Sequence, residues 1–312
     1  MDELELIQLL TRSLPGNEAV VAGAGDDCAV LDLKIPNQWL LFKTDAVVEG
    51  VHFTSADPPE KIGRKALARC LSDIAAMAGI PTAALVTLAL PPKFDPKFVE
   101  AIYAGLNQLA EEHHIAVAGG ETTANPERIL ISIALVGTVD RTKCLFRSGS
   151  KGGDAIFVSG ELGGSLAGKH LDFEPRVDEA RWLADTFAIH SMIDVSDGLA
   201  SDLRHILRAS KVGAQLLSEA IPISRAARLQ AKTESAHKPP LLAALTDGED
   251  FELLFTVSSK DAVRVRDAWH EQFPKVRLSC IGKITTEPGL KICDKTGIQA
   301  LTAHGYTHFK ES

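Results

Sequence analysis

The sequence predicts an α+β protein made of two successive halves. Three observations carry that expectation. Helical and strand periodicities alternate along the whole chain. A polar, glycine-rich run, Arg147 to Gly153, interrupts them near the middle. Apolar residues make up 45% of the 312 and aromatics only 5%, so the core is mostly aliphatic and large enough for two modest domains.

The elements follow in order. Leu4 to Leu14 reads as a short amphipathic helix stopped by Pro15 and Gly16. Gly23 to Asp27 is a tight glycine–aspartate turn. Gln38 to Val48 alternates and is rich in β-formers, so it reads as a strand that breaks at Glu49-Gly50. Pro59 to Ala78 is a long helix, with proline suited to its start and Gly79 and Pro81 to its end. Ala83 to Leu90 is an apolar strand closed by Pro91-Pro92. Asp95 to His113 is a helix, with Asp95 as its cap and Pro96 at its first position. Ile115 to Ala118 and Ile129 to Val139 read as strands flanking a Gly119-Gly120-Glu121-Thr122-Thr123 turn. In the second half, strands are expected at Ala155 to Ser159, Ser191 to Val195, Phe251 to Val257 and Arg277 to Ile284. Helices are expected around Leu162 to His170, Pro175 to Ala188, Asp197 to Ala209 and Asp261 to Phe273.

Composition removes several classes. The formal net charge is −8 and no basic block occurs, which argues against nucleic acid as a partner. The five cysteines are odd in number and form no C-x-x-C pair, so neither a disulfide framework nor a structural zinc site is expected. The opening Met-Asp-Glu-Leu-Glu lacks the basic and apolar regions of a signal peptide, and no stretch of eighteen apolar residues occurs. A cytoplasmic protein that makes no membrane contact is expected.

Acidic residues gather where strands and turns meet loops: Asp26-Asp27, Asp45 with Glu49, Asp73, Glu121, Asp194 with Asp197, and Gly248-Glu249-Asp250. Such a set suits hard divalent cations, which take oxygen ligands. Phosphoryl transfer is mostly positioning and charge neutralisation, so magnesium ions held by carboxylates are sufficient for it. Each cluster also has a structural reading. Gly-Asp favours a plain turn. Asp45 ends an apolar strand. Asp73 lies either on a buried or on a polar helix face. Ser196 or Asp197 is a ready helix cap. No dinucleotide fingerprint, Walker motif or protein-kinase set is present, so nucleotide binding here needs a different scaffold.

Taken together, the motifs resemble those of the thiamine-monophosphate kinase family, within the aminoimidazole-ribonucleotide synthetase-like (PurM-like) superfamily. They are Gly25 to Leu31, Thr44-Asp45, Val48 to Phe53, Lys65 to Ala68, Leu71 to Met77, Gly119 to Thr123, Arg147-Ser148-Gly149, Ile193 to Leu199, Gly248 to Phe255 and Gly305 to Phe309. The order holds nearly end to end. The resemblance implies a two-domain PurM-like fold, with an N-terminal α+β dimerisation domain (1–148) and a C-terminal α/β domain (149–312). It implies a homodimer, ATP as co-substrate, several magnesium ions, and direct phosphoryl transfer to thiamine monophosphate.

By position, the implied magnesium ligands are Asp27, Thr44, Asp45, Asp73, Glu121, Asp194 and Asp197. Gly120, Arg147, Ser196 and Tyr103 are implied nucleotide contacts. His52, Glu249 and Tyr306 are implied acceptor contacts. Three residues depart from the family's habit: Glu121 replaces an aspartate, Lys43 a serine, and Asp247 adds a charge near the acceptor side. The stretch Gly164 to Pro175 is also short. The alternatives are another ATP-using enzyme of the superfamily, and an inactive relative that binds nucleotide or thiamine phosphates.

Overall fold

A computed structural model of the chain describes residues 3–233 and 238–306. Thr307, His308 and Phe309 of the closing motif lie outside the described residues.

After a short helix α1 (Glu3–Thr11), the first sheet collects β1 (Val20–Ala22), β2 (Ala29–Leu31), β3 (Gln38–Val48), β4 (Ile80–Leu90), β5 (Ala116–Ala124) and β6 (Leu130–Asp140). Their order is β1-β2-β3-β6-β4-β5. Helix α2 (Pro59–Ala76) joins β3 to β4, and α3 (Pro96–Glu112) joins β4 to β5. β4 and β5 are parallel and the other pairs antiparallel, as a helical crossover between β4 and β5 requires. Asp95 caps α3 as expected, accepting from the Lys97 amide at 2.9 Å. Helix α2 is buried nearly all round, because it lies between the first sheet and the second half of the chain.

The second half contains β7 (Ala155–Ser159), α4 (Val177–Thr186), β8 (Ile189–Asp194), α5 (Leu199–Ser210), β9 (Gly213–Leu217), α6 (Arg225–Thr233), α7 (Pro240–Thr246), β10 (Leu253–Val257), α8 (Ala262–Gln272), β11 (Leu278–Thr285), β12 (Gly289–Asp294) and β13 (Gly297–Ala300). The sheet order is β13-β12-β9-β11-β7-β10-β8. β12 runs parallel to β9, and the remaining pairs are antiparallel. The central strands are covered on both faces. Ile156, Val158 and Leu254 pack with α5, whereas Phe157, Phe255 and Val257 pack with α4 and α8. That explains their continuous apolar runs.

Two expectations fail. The Gly119–Thr123 segment is not a turn: it lies inside β5, pairing with Leu85 to Ala89 of β4 across a bulge at Gly119. Gly120 is required by this pairing, because a Cβ there would lie 1.8 Å from the Val86 carbonyl oxygen. The helix expected around Leu162 to His170 is two 3-10 turns, Ser165–Ala167 and Lys169–Leu171. Gly163, Gly164 and Gly168, all with positive φ, break it up.

Candidate active site

Asp27 enters just before β2, Asp73 sits in the last turns of α2, and Asp194 ends β8. All three are buried, and each offers a carboxylate oxygen within 4.8 Å of the others. Three side chains hold them. Lys43 Nζ lies 2.9 Å from Asp73 Oδ1, Arg147 Nη2 lies 2.7 Å from Asp27 Oδ1, and Ser72 Oγ donates to Asp194 Oδ2 at 2.6 Å. Asp27 Oδ2 is buried and has no hydrogen-bond donor among the described residues.

Burial pushes Asp73 well above the ordinary carboxylate range; Lys43 opposes the shift, and the charges of Asp194 and Asp27 add to it. Burial and the neighbouring Asp27 charge push Asp194 up to about 7. Asp26, whose Oδ1 accepts from the Arg147 amide, is raised to about 6 by burial and by Asp27. A set of buried, crowded carboxylates is costly by itself. A divalent cation among them removes that cost, and an all-oxygen donor set with one unmatched oxygen fits magnesium.

Strand alternation sorts the other expected ligands. Asp45 is opposite Ile133, on the same inward face as Lys43. Its carboxylate is held by Arg69, with Nε to Oδ2 at 3.0 Å and Nη2 to Oδ1 at 3.3 Å. Thr44, one residue away, points to the outer face, where its hydroxyl is 3.5 Å from that of Ser132. Glu121 pairs with Thr87, which pairs with Ser132, so it too is on the outer face. It is exposed, and its carboxylate accepts from the next amide in the chain. The side chains of Thr44 and Glu121 are therefore not brought to the triad, because the sheet lies between them.

Next to the triad is a cavity of about 360 Å³, lined by His52, Lys65, Leu166, His170, Ser196, Asp197, Glu249 and Tyr306 among others. It unites three expected acceptor residues from distant parts of the chain. His52 Nδ1 accepts from the Val48 amide at 3.1 Å, so in the neutral ring Nε2 carries the proton. Glu249 touches Lys65 and lies 3.4 Å from Arg69 Nη1. Burial alone would raise its pKa, but the neighbouring His170, Lys65 and Arg69 outweigh it and pull the carboxyl down to about 2. Tyr306 is positioned by its amide, which donates to the Asp197 carbonyl at 2.9 Å.

At the turn after β8, neither Ser196 nor Asp197 caps α5. Gly198 precedes the helix, and the buried Asp202 carboxylate reaches back to the Asp197 amide at 3.1 Å. Ser196 lines the cavity. Tyr103 is on α3, packed against the core of the first half, and is not among the residues lining the cavity. Gly120 is on the edge strand β5.

Lys65, Arg69 and His170 received no role from the sequence alone. The signal for the first two was present. Lys65, Arg69, Ser72 and Asp73 recur at helical spacing, marking one polar stripe that continues into the apolar second half of the helix. His170 had no such signal, since only the 3-10 turn brings its Nδ1 to 2.8 Å from Lys65 Nζ.

The chain matches the AIR synthase related protein families: the N-terminal domain over residues 25–139 and the C-terminal domain over residues 148–295. A thiamine-monophosphate kinase of Rhodopirellula baltica is 39% identical over 307 residues, covering 96% of this chain and 93% of the relative. That of Bacillus subtilis is 34% identical, covering 99% and 100%. This chain belongs to the thiamine-monophosphate kinase family. The solved structure of AaThiL complexed with AMPPCP and TMP superposes with a TM-score of 0.83 at 30% identity, covering 99% of this chain and 97% of that one. The Stenotrophomonas maltophilia thiamine-monophosphate kinase gives 0.72 at 32%, covering 92% and 93%. The fold is the two-domain PurM-like arrangement, and E. coli HypE shares it with a TM-score of 0.73 at 19% identity. Within the kinase family, the triad and the cavity belong to a phosphotransferase acting with ATP.

Proposed function

We propose that this chain transfers the γ-phosphoryl group of ATP directly to the phosphate of thiamine monophosphate, giving thiamine diphosphate and ADP. The observation that carries the reading is the convergence of Asp27, Asp73 and Asp194 beside a cavity holding His52, Glu249 and Tyr306. Family membership supports it, as does the relative that holds AMPPCP and TMP together.

Magnesium ions would be held by Asp27, Asp73 and Asp194, with Asp45 and Asp197 as further candidate carboxylates. When bound they would neutralise phosphate oxygens. The rest is the work of the chain's own residues. Arg147, fixed on Asp27, offers its guanidinium to phosphate, with Ser196 as a second nucleotide contact. His52 Nε2–H donates toward the acceptor phosphate. Tyr306 gives a flat face for a ring of thiamine. Glu249, kept ionised by Lys65, Arg69 and His170, meets thiamine's positive charge.

Arg69 holds Asp45, reaches Glu249 at 3.4 Å and feels the charge of Asp73, which supports reading triad and cavity as parts of one site. The proposed division of the chain is between residues 148 and 149. A homodimer formed through the outer face of the first sheet fits the exposure of Phe42 and Leu85 there.

The test is incubation of the purified chain with ATP, magnesium chloride and thiamine monophosphate. Thiamine diphosphate and ADP are expected in equal amounts. ADP alone, or no turnover with the acceptor present, overturns the reading.

A further inference from the structure

Lys43 lies within the acidic cluster, and its position has a consequence for how many ions the cluster takes. It comes from the inward face of β3, where a strand residue of opposite parity would have faced away. Its ammonium is 2.9 Å from Asp73 Oδ1, in the same group of oxygens that Asp27 and Asp194 complete. Arg147 matches Asp27 in the same way at 2.7 Å. With all three carboxylates ionised, as a bound divalent ion requires, they meet two cations supplied by the chain, leaving one net negative charge where three would otherwise stand. Among the described residues, the hydrogen-bond partner of the Asp194 carboxylate is the neutral Ser72 hydroxyl. The unmatched buried Asp27 Oδ2 marks the side of the cluster still open to a cation.

We propose that the Lys43 ammonium permanently fills one cation position of this cluster, so that the chain binds one divalent ion fewer, or binds it more weakly, than three converging carboxylates would. The inference rests on the reading of the triad as a divalent-ion site. It makes Lys43 a positioning residue that sets ion number, since its charge sits on Asp73 whatever the nucleotide does. At contact distance in a protein dielectric, a fixed positive charge repels a divalent ion strongly, so its removal has a large effect.

The experiment titrates the nucleotide-free chain with Mn²⁺, counting bound ions by electron paramagnetic resonance and following Tm in parallel. Lys43→Met is expected to gain one Mn²⁺ per chain, or at least about tenfold in affinity. Its Tm is expected to fall in EDTA, where Asp73 is left buried without its partner, and to recover in Mn²⁺ by more than the wild type gains. The double variant Lys43→Met/Asp73→Asn removes both charges, and is expected to show neither the EDTA-dependent loss nor the extra ion. Equal ion number, affinity and Tm response in wild type and Lys43→Met would overturn the proposal while leaving the divalent-ion reading intact. Absence of Mn²⁺ binding to every variant, wild type included, would remove both. A Lys43→Met chain that stays unfolded in saturating Mn²⁺ would also overturn the proposal, because an ion could not then take the lysine's place.

Discussion

Ser72 Oγ donates to Asp194 Oδ2 at 2.6 Å, and the two residues are only 2% and 3% exposed. The bond joins α2, which belongs to the first sheet, to the end of β8 in the second. A carboxylate whose ionised form is disfavoured by burial gains most from such a donor. The expected result of Ser72→Ala is a loss of about 1–3 kcal/mol in stability, because a buried acceptor loses its donor. Urea unfolding in EDTA measures it. An unchanged midpoint would show that the bond contributes nothing to the seam between the halves.

Asp73 and Asp45 were expected from sequence to be equivalent ligands, and their surroundings separate them. Asp73 is in the triad, whereas Asp45 is held by Arg69. Asp73→Asn should lower kcat by about a hundredfold or more, as removal of an electrostatic group from a phosphoryl-transfer site does. Asp45→Asn should cost less, and mainly in KM for the acceptor, because it frees Arg69 beside Glu249. Steady-state assays of both variants, with circular dichroism to check folding, decide between them. Equal losses in kcat would mean that Asp45 acts within the triad after all.

Glu249 contributes to the acid limit of stability. Its carboxyl is held down at about 2, against an ordinary value of 4.5. The folded chain therefore keeps it ionised where the unfolded chain takes up a proton. The stabilisation, about 3 kcal/mol, is complete above pH 4.5 and is lost as pH falls toward 2. Glu249→Gln should remove this acid-side slope and also destabilise the protein at pH 7, since Lys65 and Arg69 lose a partner. Unfolding free energies measured from pH 2.5 to 7 test it. A wild-type slope retained in the variant would place the titrating group elsewhere.

The close crossing of α2 and α3 depends on two glycines. A Cβ on Gly63 would lie 1.8 Å from the Ile102 carbonyl oxygen, and one on Gly105 would lie 1.8 Å from that of Glu60. Helix propensity alone favours alanine over glycine by about 1 kcal/mol. Backbone carbonyls cannot move aside like side chains, so the opposite sign is expected here. Gly63→Ala should destabilise by at least about 3 kcal/mol, measured by thermal unfolding. A neutral or stabilising result would mean that the helices can separate without cost.

Sequence alone carried the strong elements. β3 runs from Gln38 to Val48 as its alternation requires, and α3 begins at Pro96 after the Asp95 cap. It also carried the acidic motifs, because carboxylates at strand ends and in an apolar helix conflict with burial wherever they are. The Gly119–Thr123 segment misled, since glycines signal a turn and a strand bulge alike. Short strands such as β9, β12 and β13 gave too little periodicity to be recognised.

What the residues determined by themselves was which side chains need a partner: Asp73 in its helix, Asp27 in its turn, Asp194 at a strand end. Which of them meet was decided by tertiary structure. Strand alternation placed Lys43 and Asp45 inside and Thr44 outside, while the sheet separated Glu121 from the triad. The packing of α2 against both halves brought three distant carboxylates within 4.8 Å. A local pattern fixes a side chain's parity along its own element, but the distance between two elements depends on how their buried faces pack.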